Sequence, residues 1–186
     1  MSQRHGSEPG DEVLDAARAC VLAVGFRRTT FSDVARRAGV SRMTLYRRFP
    51  DLETLLSALM TREFGRVVEE ARTAGSNAGS TRARAVAIVT LAARRLHADP
   101  LFDRLLDVDP ELLLPYVTVR LGGMQRMAVA GMADVLGTRD GSVRDADPDL
   151  LARGVELIAR GFVLAREPGI DAWGELGRAV DGYLRP

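Results

Sequence analysis

Seven arginines crowd into residues 26–50: Arg27, Arg28, Arg36, Arg37, Arg42, Arg47 and Arg48, with Asp33 the one acid among them. That is a local excess of +6 in a chain whose net charge is only +1, so residues 51–186 are net acidic. A guanidinium binds phosphate oxygens, and its planar fork pairs bidentately with N7 and O6 of guanine. The last three arginines interleave with Met43, Thr44 and Tyr46. Threonine and methionine can touch a thymine methyl, and tyrosine can hold a phosphate. Basic charge concentrated on one short unit is the electrostatic footprint of a DNA binder. The 26 basic residues are all arginine, which reads as coding bias from a GC-rich genome.

These side chains need a frame, and residues 30–49 supply one. Thr30 is placed to accept from the N–H three residues on, and Asp33 falls in the first turn, where an anion is favoured. Val34, Ala35 and Ala38 form the inner face of that helix. Gly39 can take positive φ and end it, Val40 fills the corner, and Ser41 is the next N-cap. In the helix that follows, Leu45 and Phe49 share the inward face, while Met43 and Arg47 lie opposite, flanked by Arg42, Thr44, Tyr46 and Arg48. This is a helix-turn-helix with its recognition helix second. The competing reading is a solvated hairpin with an accidental charge run.

The pattern resembles the TetR family of bacterial transcriptional regulators. The resemblance rests on Gly25-Phe26, Thr29-Thr30, Val34-Ala35, Ala38-Gly39-Val40-Ser41, Thr44-Leu45-Tyr46 and Phe49, and covers about the first third of the chain. It implies an α-helical homodimer that binds a palindromic operator, usually a repressor released by a small ligand. Carried over residue by residue, it implies Arg42, Met43 and Thr44 as base readers. Tyr46, Arg47 and Arg48 would hold phosphates or flanking bases, and Thr30 and Ser32 would meet the backbone. Ser41 completes the candidate DNA-binding set. The family usually places a lysine where this chain has Leu52; Arg48, where many members carry histidine, is the candidate substitute.

The rest of the chain must carry and pair this unit. The expected fold is all-α with about nine helices. It comprises a disordered arm (1–10), a three-helix DNA-binding domain (11–50), a connecting helix (51–72) and a helical effector-binding and dimerisation domain (73–186). The first helix, 11–24, would turn Val13, Ala17, Cys20, Val21 and Val24 inward, with Phe26 plugging the core. A fourth helix over 51–71 is longer than a headpiece needs, so tilting it would move the head. Residues 73–81 read as a small polar linker. Helices follow over 82–97, 101–108 and 111–136, the last with Pro115 near its start and a kink at Gly122-Gly123. A polar loop (137–148), a helix over 149–166, a Pro168-Gly169 turn and a helix over 171–184 complete the chain.

The helix over 149–166 carries a heptad echo: Leu150, Leu157 and Leu164, with Gly154 and Gly161. With the final helix, which bears Trp173, Leu176, Val180 and Tyr183, it resembles the family's dimer-forming pair; the alternative is that both only close the intramolecular core. Candidate effector contacts are Arg94, His97, Phe102, Tyr116, Arg120, Met124, Met127 and Phe162, with Leu91, Leu106 and Gln125 nearby. The same side chains also suit plain core packing.

Other chemistry finds little support. Two histidines, His5 and His97, and one cysteine, Cys20, do not make the usual metal clusters, so no cofactor or metal is expected. No glycine-rich phosphate loop or Ser-His-Asp pattern stands out, so no catalysis is expected. Asp103, Asp107 and Asp109 read as the solvated face of a short helix. A single cysteine permits no internal disulfide, there is no run of 18 apolar residues, and the start is polar. The expectation is a cytoplasmic protein without a membrane span. A second functional class remains open: a DNA-binding or interaction module with no ligand, controlled by a partner protein.

Overall fold

The computed structural model describes residues 11–113, 122–165 and 171–186. Among them are nine α-helices, one short 3-10 helix and no strand. They are α1 (Asp11–Val24), α2 (Phe31–Ala38), α3 (Arg42–Arg48), α4 (Leu52–Gly75), α5 (Thr81–His97) and α6 (Pro100–Val108). The 3-10 helix (Pro110–Leu113), α7 (Gly123–Leu136), α8 (Pro148–Leu164) and α9 (Ala172–Leu184) follow. No helix of the described residues is long and apolar enough to cross a membrane. The expected arm at 1–10, Pro115 and the Pro168-Gly169 turn lie outside the described residues.

The helices form two compact units. Residues 11–62 with 100–113 make the first, and residues 63–99 with 122–165 and 171–186 make the second. In the first, α1 packs on α2 and α6, and α2 on α3. Its core joins Val13, Ala16, Ala17, Cys20 and Val21 of α1 to Phe26, Phe31, Val34, Ala35, Leu45, Leu55, Leu59, Leu101 and Leu105. Burying one such leucine contributes roughly 1.5–3 kcal/mol, so the core is what sets the small helices in place. Burial also raises the Cys20 thiol pKa. Val24 departs from the expected inner face: it is 39% exposed, since it lies in the last turn just before the chain reverses at Gly25.

In the second unit α7 packs on α8, and α5 packs on α7, α8 and α9. The polar loop between α7 and α8 folds back onto the start of α5. Thr81 N–H donates to Asp140 Oδ2 at 2.6 Å, the Thr81 hydroxyl to the Thr138 carbonyl at 2.6 Å, and Arg82 N–H to Ser142 Oγ at 3.1 Å. The Ser142 hydroxyl, then the Thr81 and Ser142 N–H groups, hold the Asp140 carboxyl well below the usual carboxylate range.

Two expected boundaries move. The linker predicted over 73–81 begins later, because α4 continues to Gly75, a buried residue against which Ile88 packs so closely that a side chain would collide. The helix predicted over 111–136 is not continuous: a 3-10 helix ends at Leu113, and α7 starts afresh at Gly123. Gly122 is therefore an extended N-cap rather than a kink, and its N–H donates to Gln125 Oε1 at 2.6 Å.

Candidate nucleic-acid interface

The α2–α3 corner is assembled by caps. Thr30 Oγ accepts the Asp33 N–H at 3.2 Å while its own hydroxyl donates to Asp33 Oδ2 at 2.6 Å. Gly39 ends α2 at φ 67°, a conformation a Cβ disfavours. Ser41 then caps α3, its Oγ accepting the Thr44 N–H at 3.0 Å and lying 2.8 Å from the Thr44 hydroxyl. Leu45 is fully buried and anchors α3, with Val40 and Phe49 packed against the same core.

With Leu45 pinned inward, the rest of α3 turns to solvent. Arg42, Arg47 and Arg48 are exposed, Met43 is 77% exposed and Tyr46 47%, while Thr44 is half-buried. The Tyr46 ring stacks on the buried Phe31 ring, centroids 4.7 Å apart and 15° from parallel. That contact fixes a tyrosine on the outward edge of the helix. Among the described residues no carboxylate pairs with Arg42 or Arg47. Arg36 and Arg27, by contrast, are held by Asp33 at 2.6 Å and Glu111 at 2.5 Å. Two unpaired guanidiniums, a methionine and a tyrosine on one exposed helix edge form a cationic, hydrogen-bonding ridge. Its chemistry matches that of a groove-reading surface.

The candidate DNA-binding residues therefore lie together at one corner of the first unit, though not in equal condition. Thr30 and Ser41 already use their hydroxyls as caps, and Ser32 is half-buried on α2. Two residues were missed. Phe31 carries a visible signal, since it continues the period of Val34, Ala35 and Ala38. Asp109 carries almost none. Read as solvated with Asp103 and Asp107, it is 2% exposed and accepts the Phe26 N–H at 2.8 Å, whereas Asp103 and Asp107 are exposed. It lies one residue beyond α6, outside the helical period that sends its neighbours to solvent.

The candidate effector contacts do not form one described cluster. Tyr116 and Arg120 lie outside the described residues. Phe102 is buried in the first unit, not the second. In the second unit Leu91, Met124 and Phe162 are half-buried, and Arg94 is exposed. Met127 is 48% exposed and rests its methyl against Gly65. His97 meets Trp173 edge-on at 5.2 Å, and its enclosed Nδ1 has no hydrogen-bond partner among the described residues. Gln125 is buried and reaches Glu156 at 3.5 Å, where Arg153 and Arg160 also converge.

The family model described as "Bacterial regulatory proteins, tetR family" matches residues 13–59, a stretch that begins within α1 and runs through α2 and α3 into α4. An uncharacterised HTH-type transcriptional regulator of Mycobacterium bovis, Mb2274c, is 34% identical over 96% of this chain and 95% of its own length. The HTH-type transcriptional regulator AlkX of Mycobacterium tuberculosis is 28% identical over 93% of this chain and 83% of its own. The crystal structure of the TetR family repressor AlkX from a Dietzia strain, implicated in biodegradation of n-alkanes, superposes with a TM-score of 0.71. It is 24% identical and covers 96% of this chain and 97% of that one. With the capped corner, the outward arginines and a relative aligned along nearly its whole length, this chain belongs to the TetR family of DNA-binding, helix-turn-helix transcriptional regulators.

Proposed function

We propose that this protein is a homodimeric, ligand-responsive repressor that lays α3 of each copy in the major groove of a palindromic operator. The single observation that carries the reading is the outward edge of α3, where Arg42 and Arg47 stand around Met43 and Tyr46 without acidic partners among the described residues. Arg42, Met43 and Thr44 read bases; Tyr46, Arg47 and Arg48 hold phosphates, with Thr30, Ser32 and Ser41 at the backbone. One short helix reads too few base pairs for a specific site, so two copies address half-sites one turn, ~34 Å, apart. The exposure of Leu150 (64%) and Leu157 (49%), a heptad apart on α8, supports pairing through α8 and α9.

The sensor part of the proposal belongs to the second unit. Half-buried Met124 and Phe162 supply apolar surface, and His97 Nδ1, enclosed and without a hydrogen-bond partner among the described residues, supplies a polar group. Because the Dietzia AlkX is implicated in biodegradation of n-alkanes, n-alkanes and their oxidised derivatives are the first effectors to try. Selection from a random duplex library should enrich a palindrome, and no enrichment at low ionic strength would reject the reading. A matching effector should raise the melting temperature and release the selected duplex. A flat thermal response across the panel would leave a regulator controlled by a partner protein.

A further inference from the structure

We propose that Asp109 is a positioning residue for DNA binding: its buried carboxylate holds the turn that delivers the helix-turn-helix, without itself reaching the duplex. The inference rests on the DNA-binding reading and goes beyond the residues that face outward.

The turn between α1 and α2 is closed from two sides. From within, the Thr29 hydroxyl donates to the Gly25 carbonyl at 2.7 Å, and the Thr29 N–H to the Phe26 carbonyl at 3.3 Å. From 83 residues away, Asp109 Oδ2 accepts the Phe26 N–H at 2.8 Å. Phe26 and Thr29 are buried, so this amide has no water to fall back on. Gly25 fits here for two reasons. Its φ is +90°, and a Cβ would lie 3.0 Å from Asp109 Oδ2 and 3.1 Å from Val108 Cγ1. The carboxylate is thus wedged against the backbone of the turn. Asp109 is itself anchored, since its N–H donates to the Leu105 carbonyl at 3.2 Å and Leu101 and Leu105 lie in the core shared with α1 to α3. On the outside, the Arg27–Glu111 pair spans the same gap at 2.5 Å.

Thr30, the N-cap of α2, directly follows this turn. Removing the carboxylate strands a buried N–H and frees the turn. The α2–α3 pair must then be ordered at the moment of binding, which lowers affinity without deleting any contact to DNA. Loss through positioning is uniform across sequences and leaves the salt slope unchanged, because the slope counts phosphates neutralised.

The test uses the full chain and a duplex selected from a random library, with affinities referred to the DNA-competent fraction measured by stoichiometric titration. Asp109→Ala should bind about tenfold more weakly, as expected for a lost hydrogen bond to a charged group. Base preference and salt slope should match the parent. Asp109→Asn, which keeps an acceptor oxygen, should recover to within about twofold. Parental affinity in the competent fraction of Asp109→Ala would overturn the proposal, as would an Asp109→Asn no better than Asp109→Ala. Should Asp109→Ala fail to fold, amide exchange on the parent protein decides. The Phe26 amide should exchange far more slowly than those of Arg27 and Arg28, and exchange at a free-loop rate would overturn the proposal. A parent chain that binds no duplex removes the DNA-binding reading itself, a result separable from each of these.

Discussion

Helices α3 and α8 are made of similar materials and put them to opposite uses. Both mix arginine with apolar side chains that remain exposed: Met43 and Tyr46 on α3, Leu150 and Leu157 on α8. On α3 no described carboxylate pairs with Arg42 or Arg47, so their charge is open to an incoming polyanion. On α8, Arg153 and Arg160 both converge on Glu156, whose side chain is 10% exposed. One glutamate a turn away converts a phosphate-binding comb into an internally satisfied strip. Apart from Asp149 and Gly161, the exposed residues of α8 are Leu150 and Leu157, which suit another protein surface rather than a nucleic acid. The two heptad glycines of α8 differ likewise. Gly154 leaves room for Tyr183 of the same chain, whereas a Cβ at Gly161 would meet nothing within 4 Å among the described residues beyond its own helix.

The contrast is open to attack at each end. The largest effect is expected from Leu150→Glu combined with Leu157→Glu, which sets like charges against each other across the proposed two-fold. The double variant should sediment as a monomer and lose at least ~100-fold in operator affinity, because a lone head reads only one half-site. A dimer with parental affinity would move the interface elsewhere. Next comes Arg42→Ala, expected to cost about 1–3 kcal/mol on the selected operator and to relax preference at one base position. Unchanged discrimination in a competitive binding assay would remove Arg42 from the reading set.

Arg47→Ala should act more weakly and evenly, several-fold across all sequences. Its salt slope should fall by ~1, the mark of one phosphate contact. A change in base preference instead would make Arg47 a reader. The smallest effect is expected from Ser41→Ala, where a lost N-cap costs about 1 kcal/mol. In a chain of this size that is a few degrees of unfolding midpoint by calorimetry. An unchanged midpoint would mean that burial of Leu45 alone holds α3.

The α2–α3 corner was legible because its causes are local. Thr30, Gly39 and Ser41 each act within about four residues, and Leu45 is inward by period alone. The α1 span and the α5 span were legible for the same reason. Misreadings came where a distant segment decided the outcome. Gly75 reads as part of the 73–81 linker, yet Ile88 covers it and α4 runs on to end there. Asp109 reads as one of three solvated acids, yet the Phe26 amide claims it. Phe102 reads as a pocket residue of the second unit, yet α6 belongs to the first.

By itself the sequence determined the helical class, the capped corner and the outward arginine ridge, since caps, periodicity and charge are short-range properties written along a single helix. Tertiary structure alone decided which acid is buried, which arginines keep their charge unpaired and which leucines stay uncovered. Those outcomes depend on what another segment brings within a few ångströms, and neither composition nor spacing along the chain encodes that distance.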